Sequence, residues 1–422
     1  MQTKTTNQIT TIKTEKFKTT LIKVSFKAKL ARETITERLL LANVLRNSSQ
    51  NFRSKKALSA HLENLYGASL SVSAKKQGQL HTISFYIQVV NEKFLKSGPP
   101  LFEEALKTLS EVIMNPKITA ETFDGHVVNL EARLLKEDIE SIYDDKTSYA
   151  LKKMIASMCE RENFGISGDG YIDDLMKINE KTLVATYESM LNTDDLSIVV
   201  LGDVEHDEVI QLFEDYFNFK SQVRTKLSAV DTEEKEMRQV MTLTEEQLVN
   251  QAKLNMGYRT NTRITDEDYF VILVFNGVFG AFAHSKLFMN VREKESLCYY
   301  CSSQLDNFKG LLYVYSGLDA TQVPKAIEII DKQLADICLG HFTEEELVLA
   351  KKSIINAKKS SLDSSSGMLA DLEIGAILGL TAEVFIQKIK QVTAADVSRV
   401  AKKIKKDTVF TLNPCKSDKE VL

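Results

Sequence analysis

An α+β fold built from two homologous halves is what this sequence predicts. Three observations carry it. The chain has 422 residues, about twice the length of an ordinary domain. A polar, mixed-charge stretch at 221–238 shows no apolar period and separates two patterned regions, so the domains are expected at 1–220 and 239–422 with 221–238 as linker. On each side the same order of elements occurs: strand, two helices, two-stranded hairpin, long helices, closing strand. The hairpin regions LYGASLSVSAKKQGQLHTISFYIQVV, from Leu65, and LCYYCSSQLDNFKGLLYVYSGLDATQV, from Leu297, occupy corresponding places. Identity between them is low, so order and spacing carry the inference.

The first half opens on a strand at Thr20–Lys27 (TLIKVSFK), where apolar and polar residues alternate. A helix is expected over Thr34–Asn47, with Leu39, Leu40, Ala42, Val44 and Leu45 crowding one side. Ser54 is placed to cap a second helix over Ser54–Leu65. Ser69–Ser73 and His81–Val90 read as paired strands. In the latter, Ile83, Phe85 and Ile87 alternate with Ser84, Tyr86 and Gln88, the period of a half-buried strand. Pro99 and Pro100 start a helix ending near Met114, and helical patterns run on from Thr119 to near Glu160. Leu196–Leu201 (LSIVVL) is a buried strand closed by Gly202 and Asp203, followed by a helix over Asp207–Phe217.

Beyond the linker, a strand at Gln251–Tyr258 leads to helices over Asp266–Gly280 and Ser285–Glu293. Strands follow at Leu297–Gln304 and Gly310–Gly317, then helices over Val323–Cys338, Thr343–Lys359 and Thr393–Lys405, and a last strand at Thr408–Leu412.

Composition narrows the function. Hydrophobic content of 43% and charged content of 27% fit a soluble globular protein. Lys+Arg 54 against Asp+Glu 58 leaves a net charge of −4, without the basic excess of a nucleic-acid binder. The first 20 residues hold lysines but no apolar core segment, which speaks against a secretory signal. The longest apolar run, Phe270–Ala283, is broken by Asn276 and is shorter than the roughly 20 residues that span a bilayer. Five scattered cysteines fit free thiols in a reducing cytoplasm better than a disulfide framework.

Few motifs carry chemistry. Zinc hydrolysis needs three converging ligands and a carboxylate base. No two of His61, His81, His126, His206, His284 and His341 lie within a helical turn. His61 and Glu63 point about 200° apart on a helix, so an ordinary polar helix residue is the better reading of His61. Cys298-Tyr-Tyr-Cys301 is a lone CxxC. On a regular strand its two thiols face opposite sides of the sheet, so buried structural thiols are expected rather than a redox or metal pair. No GxSxG, P-loop or GxGxxG is present. Gly277 and Gly280 read as a helix stop or close-packing site, and Lys402–Lys406 as a solvated helix end.

Ser285–Tyr300 (SKLFMNVREKESLCYY) is the most informative segment. It sets Arg292 and Tyr299 seven positions apart, across a helix end and a strand start. Two such donors can grip a peptide carbonyl as it becomes an oxyanion. On the residues alone the more ordinary reading is structural, with Arg292 pairing to a neighbouring Glu and Tyr299 packing in a sheet.

Together KFKTTLIKVSF from Lys16, NQAKLNMGYRT from Asn250 and FNGVFGAFAHSKLFMNVREKESLCYY from Phe275 resemble the pitrilysin/insulinase (inverzincin) metallopeptidases, in order and across nearly the whole chain. The resemblance implies two insulinase-type domains, each a mixed, largely antiparallel sheet with helices packed on one face. It implies HxxEH on the first long helix, a distal Glu as third zinc ligand, and an Arg/Tyr pair in the second half that binds the scissile carbonyl. Arg292 and Tyr299 match that pair. The HxxEH does not survive: counting back from Leu65-Tyr66-Gly67, its place holds Leu39-Leu40-Leu41-Ala42-Asn43. Glu131 and Glu137 stand in the third-ligand region, and the choice between them stays open. The chain is most similar to the zinc-motif-lacking members of the family. That implies no metal or other cofactor here, zinc in an HxxEH-bearing partner of a heterodimer, and a peptide substrate met by Arg292 and Tyr299 in trans. Neither nucleic acid nor membrane enters. That subgroup also implies a link to modification of elongation factor P. A regulatory partner or a stand-alone peptide-binding protein is the alternative.

Overall fold

A computed structural model describes residues 2–96, 98–217, 219, 224–233 and 239–415. Their contacts separate the chain into two units, Met1–Glu140 with Ile166–Ala229, and Ser141–Gly165 with Val230–Leu422. The sequence-expected division at 221–238 runs along the chain without interruption. The structure differs in that Ser141–Gly165 groups with the second unit, and part of the expected linker, 221–223 and 234–238, falls outside the described residues.

The chain order of the first half is β1 (Gln2–Thr6), β2 (Ile9–Lys13), β3 (Thr19–Lys29), α1 (Ile35–Leu45), α2 (Lys55–Asn64), β4 (Ser69–Gln77) and β5 (Leu80–Val90). It continues through α3 (Leu101–Met114), the short β6 (Ile118–Thr119) and β7 (Thr122–Phe123), α4 (Gly125–Asp144), α5 (Lys146–Met158), α6 (Ile172–Leu175), α7 (Glu180–Thr193), β8 (Asp195–Gly202) and α8 (His206–Tyr216). The sheet of the first unit runs β1-β2-β8-β3-β5-β4, antiparallel except for β2 against β8. Ile22, Val24 and Phe26 of β3 and Ile83, Phe85 and Ile87 of β5 share one face. There they meet Leu40, Leu41 and Val44 of α1 and Leu106 and Leu109 of α3. Each such side chain stabilises the fold by about 1.5–3 kcal/mol relative to exposure. Ser54 caps α2 as expected, accepting from the Ala57 amide at 3.2 Å.

The second half contributes β9 (Met241–Gln247), β10 (Ala252–Arg259), α9 (Tyr269–Phe279), a π-helical segment (Phe288–Lys294), β11 (Cys298–Asp306) and β12 (Leu311–Leu318). Then come α10 (Val323–Cys338), α11 (Glu344–Ser361), α12 (Ser365–Leu378), α13 (Ala382–Gln391), α14 (Ala394–Ala401) and β13 (Lys405–Pro414). Its sheet runs β11-β12-β10-β13-β9, with only β13 and β9 parallel. Reading β4-β5-β3-β8-β2 beside β11-β12-β10-β13-β9 gives the same order and the same single parallel pair. The halves are thus homologous mixed sheets, and β1 is an extra strand on the first.

Alternation along the second sheet sorts its two faces. Leu254, Met256, Leu312 and Val314 join the cluster with α9, α10 and α14. Leu311, Tyr313, Phe410 and Leu412 turn the other way and bury Ala150, Met154 and Met158 of α5. In addition to the helices on its first face, this sheet therefore carries α5 on the second. Gly257 makes room for it: a Cβ there would come within 2.6 Å of the Met158 sulfur and 2.7 Å of the Met154 sulfur. Beyond α5, Glu162 is bound by Arg259 at 2.6 Å and Lys309 at 2.5 Å. Arg259 also reaches Asp407 at 2.8 Å, and Lys309 pairs with Asp231. Five buried or nearly buried charges thus tie α5 to β10, β13 and the β11–β12 turn.

Candidate functional site

Arg292 sits in the π-helical segment, where an α-helix was expected over Ser285–Glu293. Such insertions are rare and gather at functional sites. Asn290 holds the segment, its side-chain amide donating to the Lys286 carbonyl at 2.8 Å and to Gln333 at 3.1 Å. Ser296, at φ 51°, turns the chain sharply into β11. The Arg292 side chain remains 40% exposed, its guanidinium 4.5 Å from the Phe288 ring centroid and its Nε 3.7 Å from Glu293.

Tyr299 lies on a β-bulge. β11 pairs Cys298 with Leu318 and Tyr300 with Gly317, and Tyr299 is the extra residue between them. A bulge re-aims a side chain, and Tyr299 is 74% exposed. The expected packing of Tyr299 within the sheet therefore fails, while the expected pairing of Arg292 with a neighbouring Glu is present. Both donors stand at the entry to β11, and the Arg292 charge reaches Cys298, the residue before Tyr299.

The same bulge corrects the reading of the CxxC. Cys301 pairs with Ser316 and Cys298 with Leu318, positions that share one face of β12. The extra residue shifts the alternation, so both thiols point into one apolar cluster. No side-chain pattern announces a bulge, and the sequence could not reveal this.

In the first unit, the degenerate motif Leu39–Asn43 lies within α1. Leu39 and Asn43, four apart and so on one side of the helix, are both half-buried. One turn on, Asn47 donates to the Asn43 carbonyl at 2.7 Å and to Glu131 Oε1 at 3.0 Å, while Arg46 donates to Glu131 Oε2 at 3.1 Å. The structure thus separates the two acidic candidates. Glu131 is buried with both oxygens engaged, and Glu137 is exposed, 3.9 Å from Arg133. These residues do not fit a zinc ion. Leucine offers no ligand, the Glu131 carboxylate already has two donors, and among the described residues no three His, Cys, Asp or Glu are grouped to hold a metal.

Beneath α1, Arg38 donates to the Phe26 and His81 carbonyls at 3.2 and 3.1 Å and lies 2.8 Å from Asp194. Burial, with the Arg38 charge adding, holds the His81 imidazole down to about 3, so it is neutral at physiological pH. A cleft of about 380 Å³ on the first unit, lined by Phe52, His61, Lys107 and Glu111, shares no residue with either site. His61 bonds Thr108 at 2.9 Å and packs against the Phe52 ring at a tilt of 34°, as an ordinary helix residue.

A family profile described as the peptidase M16 inactive domain matches residues 177–354. The chain is 36% identical over 403 residues to the probable inactive metalloprotease YmfF of Bacillus subtilis (strain 168), covering 95% of this chain and 94% of that one. It is 25% identical over 288 residues to the uncharacterized zinc protease YmxG of the same strain, covering 66% and 67% of the two chains. A crystal structure of a conserved protein from Enterococcus faecalis V583 superposes with TM-score 0.91 at 33% identity over 97% of both chains. A protease from Helicobacter pylori shares the fold at TM-score 0.78 and 15% identity, covering 98% of this chain and 99% of that one. With YmfF matched over 95% of the chain at 36% identity and an α1 that offers no zinc ligands, this chain belongs to the M16 (pitrilysin/insulinase) metallopeptidase family, among members without the zinc motif.

Proposed function

We propose that this chain is the non-catalytic subunit of a cytoplasmic two-chain zinc peptidase. An HxxEH-bearing homologue would supply the zinc and the general base; this chain supplies Arg292 and Tyr299 to the scissile carbonyl. One observation carries the reading. The ligand positions of α1 are lost, yet Arg292 and Tyr299 stay solvent-facing, on a π-helical segment and a bulge that aim them outward. Residues kept only for packing would be buried. β11, which starts beside the pair, is an edge strand of its sheet, so an extended peptide can add to it through backbone hydrogen bonds.

The test is a reconstituted pair cleaving a fluorogenic peptide. Arg292→Ala and Tyr299→Phe should each lower turnover by about 10²–10³-fold, the loss seen when one oxyanion donor is removed, with assembly unchanged by gel filtration. Wild-type turnover in both variants would end the shared-site reading. Lost assembly with turnover per assembled pair intact would favour a structural role. Elongation factor P, which the resemblance supplies, is the first full-length substrate to offer the pair.

A further inference from the structure

The two cysteines flanking the bulge are placed to become a disulfide. Their partners Leu318 and Ser316 are two positions apart on an unbulged strand, a step of about 6.6–6.8 Å. That is the upper end of the Cα separation a disulfide spans, so closing the bond draws the two cysteines together across the bulge. Both are free thiols directed into one cluster, and each perturbs the other's titration. Both are buried, Cys298 at 9% exposed and Cys301 at 2%, so Cys298 is the more accessible of the two. Ser316 and Arg292 both act on Cys298. Cys159, Cys338 and Cys415 have no cysteine within three positions.

We propose that Cys298 and Cys301 form a reversible disulfide with a hydroperoxide as oxidant, making this strand entry a redox switch beneath Tyr299. The Cys298 thiolate attacks one peroxide oxygen and the O–O bond breaks. That oxygen stays on sulfur as a sulfenic acid, and the other leaves as hydroxide, taking a proton to become water. The Cys301 sulfur then attacks the sulfenic sulfur. The S–S bond forms, the S–O bond breaks, and the departing hydroxide takes the Cys301 proton. With hydrogen peroxide, two thiols give one disulfide and two waters, and two electrons pass from sulfur to oxygen. Chemistry at Cys298 is favoured because its thiol is held down to about 7. The hydrogen bond with Cys301 is the main cause, Ser316 and the Arg292 charge add to it, and burial opposes; thiolate is the reactive form. The disulfide closes a ring across the bulge and removes the thiolate beside Arg292. Its effect on turnover rests on the proposed function; the disulfide itself does not.

The experiment treats the reduced chain with a small excess of hydrogen peroxide, alkylates it and reads it by mass spectrometry. The expected result is loss of two thiols of the five, a 298–301 peptide lighter by two hydrogens, and full reversal by dithiothreitol. Cys301→Ser should stop at a sulfenic acid on Cys298, trapped by dimedone; Cys298→Ser should lose thiol at least tenfold more slowly. Circular dichroism confirms that both variants fold. The proposal is overturned if no 298–301 disulfide forms, or if Cys159, Cys338 or Cys415 oxidises as fast. In a second arm, oxidised and reduced chains are each paired with the HxxEH homologue. A reversible fall in turnover of several-fold or more supports the switch, and equal turnover in both states removes it. No turnover in either state sinks the proposed function and the switch with it, while the disulfide is judged on mass alone.

Discussion

A single inserted residue, Tyr299, sets the character of the strand entry. It turns its own ring to solvent, brings Cys298 and Cys301 to one face, and sends Tyr300 to the other. There the Tyr300 ring lies over Gly317, whose added Cβ would fall 2.7 Å from a ring carbon, and its hydroxyl sits 3.4 Å from Thr147. Gly257 is crowded as closely, by the sulfurs of Met154 and Met158, which lie in the buried cluster beneath α5. Gly317→Ala should therefore cost about 1–3 kcal/mol, the ordinary range for overpacking, and Gly257→Ala at least as much, because Tyr300 is half-buried whereas the two methionines have no open space to move into. Urea unfolding of both variants checks this, and a clearly smaller loss at Gly257 would contradict the account. The spacing of Arg292 and Tyr299 was legible in sequence because it is a count along the chain. Their outward aim was not, because it comes from a π-turn and a bulge that leave side-chain order unchanged.

Elements with a full apolar period and an end signal were the legible ones. Val323–Cys338 has Pro324 in its first turn and buries Ala326, Ile330 and Ile337 along one side, and its expected bounds are those observed. The chain carried no such signal for α12, a helix that buries only Met368 and Leu369 and is bounded by Ser364 and the left-handed Gly379. β1 and β9 were missed for a related reason. β1 is polar and exposed throughout, β9 alternates over most of its length between half-buried and exposed residues beside the polar linker, and pairing with β2 and β13 makes them strands. The helical character of α5 was legible, but not the sheet it covers, since that depends on Gly257 and on charges distant in sequence. Glu162 is the hub of those charges. Burial alone would raise its carboxyl, but hydrogen bonds from Arg259 and Lys309 outweigh that and hold it below the ordinary carboxylate range. A group lowered in the folded state contributes stability above its unfolded value and loses it as pH falls through the folded one. Glu162→Gln should thus destabilise the protein by about 3 kcal/mol at pH 7, as for one partner removed from a buried pair. The gap to wild type should narrow below the ordinary carboxylate range. An unchanged gap at acid pH, in urea unfolding across pH, would show that this pairing is not the source.

Across the whole molecule, a duplicated fold carries no zinc motif on α1 of its first half, while its second half holds Arg292 and Tyr299 exposed. The loss is more than two missing histidines. Where a metal would draw Glu131, Arg46 and Asn47 now hold it, so a guanidinium takes the role of the cation and the carboxylate is no longer free. Restoring the motif alone, as Leu39→His, Ala42→Glu and Asn43→His together, should then leave the chain without stoichiometric zinc. Adding Arg46→Ala and Asn47→Ala to the same chain should release Glu131 and allow binding, because metal affinity requires an unencumbered anionic ligand. Metal analysis after dialysis against zinc separates the cases. Stoichiometric zinc in the three-residue graft would show that Glu131 was never withheld, and that the absent motif residues alone account for the missing site. Zinc only in the five-residue graft would mean that the first unit has been rebuilt around an internal ion pair.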